Sequence, residues 1–277
     1  MEEIRLITDS SSNDLTDQKQ NLTVVPLSIS LGKKTYRDDE QLNIADFLKS
    51  METNQVAGKT ACPSINEWLE ALDGCDKAIV VAMTSGLSGT YASAIQARDI
   101  YLEKHPDAQI IVVDSRTAGP EMAVIIEGIE KLLQSDLRWV DLEEAIAKMR
   151  TQTHLLFVLQ NLHNLSLNGR VSPAVAKIAG LLHINIVGKA SKEGKFEQIG
   201  KARGMKKALR EVVKAMKAEG YQGGEVIIDH CENEADSENL KKLILADFPD
   251  VKIKIRPMRG LCSFYAEEGG MMIGYHE

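Results

Sequence analysis

Long apolar runs are missing from this chain of 277 residues. None reaches the roughly 18 residues that a membrane span requires, so no transmembrane segment is expected. The first residues, Met-Glu-Glu-Ile-Arg, are acidic and lead straight into a strand pattern, unlike a secretory leader. Cysteine is scarce, with Cys62, Cys75, Cys231 and Cys262 scattered and no Cys-x-x-Cys pair. That usage argues against a disulfide framework and predicts a reducing, cytoplasmic setting. Lys and Arg are outnumbered, 33 against 40 Asp and Glu, for a net charge of −7. Nucleic acid is therefore not expected as the main partner.

Cofactor motifs are missing as well. There is no Gly-x-Gly-x-x-Gly and no His-Glu-x-x-His, and the six histidines (105, 154, 163, 183, 230, 276) lack metal-ligand spacing. Gly58-Lys59-Thr60 imitates the end of a phosphate loop, but Thr53 stands where the motif needs glycine. Gly86-Leu87-Ser88-Gly89-Thr90 has its second glycine one place too early for a hydrolase nucleophile elbow. No metal and no cofactor is expected. His230-Cys231, at the end of an apolar strand, reads as packing.

What the chain does have is a run of strands ending in polar residues. Apolar strands are predicted over 4–8, 24–30, 78–83 and 110–113, with helices over 65–72, 89–103, 122–134 and 141–152. Continuous apolar strands alternating with helices predict a parallel sheet covered on both faces, in a three-layer α/β/α domain over residues 1–153. After residue 153 the pattern mixes helices (173–182, 204–217, 237–246) with strands over 155–159, 184–187, 195–199, 225–229, 251–255 and 271–274. Lys192-Glu193-Gly194 reads as a hairpin turn. A smaller α+β domain with a mixed sheet is predicted over 154–277.

Ligands of open parallel sheets sit beyond the carboxyl ends of the strands. Thr8-Asp9-Ser10, Thr84 to Ser88, and Asp114-Ser115-Arg116 all fall there. Ser85-Gly86-Leu87-Ser88-Gly89-Thr90 also opens a helix, whose first amides lack internal partners and favour an anion. Ser88 or Thr90 either caps that helix or meets a ligand. Lys206, Arg210, Lys214 and Lys217, at helical spacing, read as a solvated face. Two functional classes fit these residues. One is a carrier that holds an anionic group at this turn and is not itself an enzyme. The other is a stand-alone serine or cysteine hydrolase or acyltransferase using Ser88 or Cys62, and it needs a base that no local motif supplies.

The order of segments resembles the DegV family. The matching runs are 7–12 (Ile-Thr-Asp-Ser-Ser-Ser), 24–29, Tyr36-Arg37-Asp38, 59–64 (Lys-Thr-Ala-Cys-Pro-Ser), 85–94, 113–116, Gly169-Arg170-Val171 and 202–208. The resemblance implies a fatty-acid-binding subunit of a bacterial fatty acid kinase, not itself an enzyme, with a palmitate- or oleate-like ligand. It implies that Thr60 and Ser88 hold the carboxylate, with Gly89, Thr90 and Tyr265 beside them, and that the tail is buried. Thr8, Asp9, Ser10 and Cys62 are expected as neighbours of that site. Arg170 and Arg203 are implied as docking residues for the kinase catalytic subunit, which forms the acyl phosphate. Cys62 stands where the family has Gln, and Tyr265 where it has His. On this reading the head group is held by hydroxyls and amides without a permanent cation.

Overall fold

The structure, a computed structural model, describes residues 4–18, 21–54, 56–179 and 184–277. The elements of the first half are β1 (Ile4–Asp9), β2 (Leu22–Val25), β3 (Ser28–Leu31), β4 (Lys34–Arg37), α1 (Ile44–Thr53), β5 (Lys59–Ala61), α2 (Ile65–Leu72), β6 (Lys77–Ala82), α3 (Thr90–Lys104), β7 (Gln109–Asp114), α4 (Pro120–Leu133) and α5 (Trp139–Arg150). Strands β2-β1-β6-β7 form a four-stranded sheet, parallel throughout. One of its two central strands, β6, is buried along nearly its whole length, as a strand covered on both faces must be.

The single strand predicted over 24–30 is two strands in two sheets. Pro26 has no amide hydrogen to donate to a ladder and fixes its own backbone angle. The chain turns there: β2 stays with β1, while β3 joins β4 and β5 in a small antiparallel sheet. The amide of Leu27 donates to Ser10 Oγ instead of to a strand. β4, β5 and α1 were not expected, although α1 carries Ile44, Phe47, Leu48 and Met51 at helical spacing.

The second half supplies β8 (Thr153–Leu159), α6 (His163–Leu167), α7 (Pro173–Ala179), β9 (Ile184–Ala190), β10 (Phe196–Arg203), α8 (Met205–Ala218), β11 (Val226–His230), α9 (Glu234–Asp247), β12 (Ile253–Pro257), α10 (Gly260–Ala266) and β13 (Met271–His276). The helix expected over 173–182 runs partly outside the described residues, as does His183. Strands β10-β9-β8-β13-β11-β12 make a mixed six-stranded sheet, in which only β11 and β12 run parallel. β9 and β10 pair antiparallel across the turn at 191–195, as the Lys-Glu-Gly signal predicts.

Two elements join the sheets. α4 opens with Gly119 at φ 67° and Pro120 in its first turn, then runs between the sheets. Its Met122, Ile125 and Ile129 enter the core of the first sheet, and Ala123 and Val124 meet Ile227 of the second. Gly274 lets β13 pass the start of α4, since a Cβ there would lie 2.3 Å from the Glu121 nitrogen. α10, from the far end of the chain, packs Leu261 and Phe264 into the core shared with Ile29 and Phe47. The buried Asp38 carboxylate accepts the first amides of α10, Gly260 and Leu261, at 2.8 Å each. Helix starts leave such amides unpaired, so Asp38 acts as a cap from more than 200 residues away.

A charged cluster makes a further joint. Arg256 of β12 forms a paired contact with buried Asp229 (2.8 and 2.9 Å) and reaches Asp14 at 2.6 Å. Asn13, in the left-handed region at φ 62°, donates to Asp229 at 2.8 Å. Among the described residues, no helix is long and apolar enough to cross a membrane, and no group of three His, Cys, Asp or Glu side chains is placed to hold a metal.

Candidate functional site

A cavity of about 860 Å³, counting its open mouth, lies between the sheets. Most of its wall is apolar. β8 contributes Leu155, Phe157 and Leu159, α10 contributes Leu261, Cys262 and Ala266, and Met83, Leu87, Phe196 and Met272 are among the rest. These side chains reach it through strand alternation on β8 and one face of α10, so sequence spacing alone did not reveal a shared cavity.

The polar groups of the wall gather at the strand-to-helix turn. Thr60, on β5, and Tyr265, on α10, bond to each other through their hydroxyls at 2.7 Å. Ser88 lies in the turn before α3, and its hydroxyl bonds to that of Thr90 at 2.8 Å and accepts from the Thr90 amide at 3.3 Å. Gly89 caps α3 through backbone alone and lies beside β5, where a Cβ would come within 3.5 Å of Cys62 Sγ. Burial pushes the Tyr265 hydroxyl above its usual range, while Thr60 and Arg170 pull it back, so it remains a proton donor at neutral pH.

Arg170 belongs to this wall. Its Nε donates to the Leu87 carbonyl at 3.3 Å, its Nη1 to the Asn168 carbonyl, and its guanidinium stands 5.7 Å from the Tyr265 ring centre. The expectation of a site without a permanent cation is thereby corrected. The Asn168-Gly169 turn does face solvent, but the long arginine side chain folds inward over Tyr265, where its planar cation stacks favourably. Lys195 also lines the cavity. Among the described residues the wall carries no Asp, Glu or His, so its only charged side chains are cations.

The expected neighbours are placed elsewhere. Thr8, Asp9 and Ser10 are fully buried at the end of β1 and do not line the cavity. Asp9 accepts from the Ser11 amide (3.0 Å) and hydroxyl (2.5 Å) and from the Met83 amide (2.7 Å). Thr8 donates to Val81 O at 2.9 Å. Burial raises the Asp9 carboxyl to about 6 against those hydrogen bonds. These groups brace the sheet edge behind the site. Thr90 is buried and meets the site only through Ser88, and Cys62 is exposed beyond the wall. Asp114 clamps the next turn, accepting from the Ser85 hydroxyl at 2.6 Å and from the Arg116 amide at 3.1 Å. Arg203 is exposed at the end of β10, away from the cavity, and the basic stripe of α8 is exposed too. Buried Cys231 packs in the core, and His230 Nδ1 accepts the Asn233 amide.

The two nucleophiles considered for a hydrolase lack a base. The side-chain partner of Ser88 Oγ is another hydroxyl, Thr90. No imidazole, amine or carboxylate within hydrogen-bond reach activates Ser88 or Cys62 among the described residues, as nucleophilic catalysis requires.

The two sheets, one parallel and one mixed, match those of solved DegV structures, and the chain belongs to the DegV family. The family model, described as "Uncharacterised protein, DegV family", matches residues 3–277. A DegV domain-containing protein of Streptococcus pneumoniae is 41% identical over 251 residues, covering 91% of this chain and 89% of that protein. Two solved structures share 38% identity with this chain. One is a DegV family protein of Eubacterium eligens loaded with heptadecanoic acid, with a TM-score of 0.96 and coverage of 99% of both chains. The other is the fatty acid kinase B3 protein of Streptococcus pneumoniae loaded with linoleic acid, with a TM-score of 0.95 and coverage of 100% of this chain and 99% of that one.

Proposed function

We propose that this protein binds one long-chain fatty acid and acts as a carrier, presenting the carboxylate to a separate kinase that forms an acyl phosphate. The observation that carries this reading is the composition of the cavity wall: apolar side chains, a group of hydroxyls, and charged groups of positive sign only. A buried carboxylate needs donors or a cation to remain ionised, and Ser88, Thr60, Tyr265 and Arg170 offer both. The first amides of α3 add a favourable dipole. A sixteen-carbon tail has about fourteen methylenes, worth roughly 11 kcal/mol on burial at about 0.8 each. Association and tail ordering offset a large part of that.

The fatty acids carried by the two relatives support the ligand class, and the fatty acid kinase B3 relative supports the partner. Arg203, exposed and clear of the cavity, fits a docking role. Arg170, half-buried in the wall, fits the head group. Native mass spectrometry of the protein purified from cells tests the reading. About one fatty acid per chain is expected. Protein that is empty, and that takes up neither palmitate nor oleate, sinks it.

A further inference from the structure

We propose that the β9–β10 turn, residues 191–195, is a gate over the apolar cavity, latched by Thr84 and Arg116, through which the hydrocarbon chain enters and leaves. The proposal rests on the reading that the cavity takes a fatty acid. Gly194 and Lys195 of this turn form part of the cavity wall. The rest of the wall is strand, helix or cross-braced loop. The Met83–Ser88 turn, for example, is tied to Asp9, Asp114 and Thr117.

The 191–195 turn is tied mainly to itself. Gly194 donates to the Ser191 carbonyl, Ser191 donates to the Lys195 carbonyl, and Ser191 Oγ accepts the amides of Glu193 and Lys195. Two hydrogen bonds cross from it to the first sheet. The Thr84 hydroxyl donates to Gly194 O at 3.0 Å, and Arg116 Nη1 donates to Lys192 O at 3.2 Å. A unit closed on itself and held by two bonds opens as a rigid piece at low cost.

The hinge is in the ribbon behind it. β9 pairs with β8 as far as Lys189, so beyond that residue β9 and β10 continue alone toward the turn, and behind that point the β9–β10 register shifts between Gln198 and Gly200, where a bulge bends and twists edge strand β10 locally. Two glycines permit the closed position. A Cβ at Gly86 would lie 2.5 Å from Glu193 O, and one at Gly194 would lie 2.0 Å from Thr84 Oγ1. Any side chain at Gly86 therefore pushes the turn outward.

Arg116→Asn and Gly86→Ala test the gate, since neither residue lines the cavity. Asparagine tolerates the positive φ of 54° at Arg116. Stopped-flow exchange of cis-parinaric acid, a fluorescent long-chain fatty acid, is measured beside tryptic cleavage after Lys192 and Lys195 in ligand-free protein. In each variant, association and dissociation are expected to quicken together with affinity unchanged, by about fivefold in Arg116→Asn, the weight of the one ordinary hydrogen bond it loses, and in the same direction in Gly86→Ala, which crowds Glu193 O instead. Cleavage in the turn is expected to quicken by a similar factor. Wild-type exchange rates, faster dissociation alone, or unchanged cleavage overturns the gate. A wild-type protein that binds no parinaric acid refutes the lipid reading instead, and the cleavage rates still decide whether the turn opens.

Discussion

Two polar clusters stand at neighbouring strand ends, and they are built differently. At the end of β1, Asp9 and Ser11 are fully buried, and the Asp9 carboxylate is occupied by two backbone amides and a hydroxyl. In the cavity wall, Ser88, Thr60 and Tyr265 are only partly buried, and their hydroxyl partners are other hydroxyls. A carboxylate locked onto backbone amides cannot turn toward a ligand without stranding them. A hydroxyl paired with a hydroxyl rotates and donates elsewhere at little cost. The first cluster is scaffold, and the second is suited to an exchangeable anion. On sequence the two look alike, since both are Ser/Thr-rich turns after an apolar strand.

The contrast is broken most severely at Asp9. Asp9→Ala leaves two buried amides unpaired, at about 1–3 kcal/mol each, and the Ser11 hydroxyl with only the Met122 sulfur, so a loss of about 2–6 kcal/mol in urea unfolding is expected. Fatty acid affinity of the protein that remains folded should be close to wild type. A stable Asp9→Ala protein with lost binding would move Asp9 into the ligand site.

Next in size is a pH effect at the joint between the sheets. Glu121 is buried at the start of α4, and burial raises its carboxyl to about 7 while Thr117 and Thr153 pull it back. In the unfolded chain it titrates near 4.5. Between those values the folded state holds a proton that the unfolded chain has released, so this group makes stability fall as pH rises through that window. The shift corresponds to about 3 kcal/mol. Glu121→Gln should flatten the decline, as read by denaturation midpoints at pH 5 and pH 8. An unchanged slope refutes the assignment.

In the cavity wall the effects move from stability to affinity. Ser88→Ala and Arg170→Gln are each expected to weaken fatty acid binding by about 1–3 kcal/mol, the cost of a lost charge-assisted bond, with midpoints nearly unchanged. Titration with a fluorescent fatty acid measures both. Equal affinity in both variants would mean that the carboxylate sits elsewhere. Tyr265→Phe gives the smallest change, about 1 kcal/mol, because Thr60 keeps a hydroxyl at that place.

Much of this was legible along the chain. The apolar runs at β1, β6 and β7 announced a parallel sheet, and Lys192-Glu193-Gly194 announced a hairpin. The helix predicted over 65–72 is α2 at its observed position, and Ser64 and Glu67 form a reciprocal cap at its start. Local signals carry such elements because their hydrogen bonds close within a few residues. α10 was not legible: seven residues without a side-chain cap of their own take their cap from Asp38 across the chain. Nor was the inward turn of Arg170, whose Asn-Gly neighbours reported only that a turn was there.

The sequence by itself determined the alternation of strands and helices and the polar strand ends with Ser88, because each is a matter of local pattern, whereas Thr60 and Tyr265 came only with the family resemblance. Tertiary structure alone decided which of those polar groups face a cavity, that the cavity exists between two sheets, and that a guanidinium completes its wall. Those outcomes depend on contacts between residues 60, 88, 170 and 265, which lie far apart in the chain. Only the packing of α4 and α10 between the sheets brings them together.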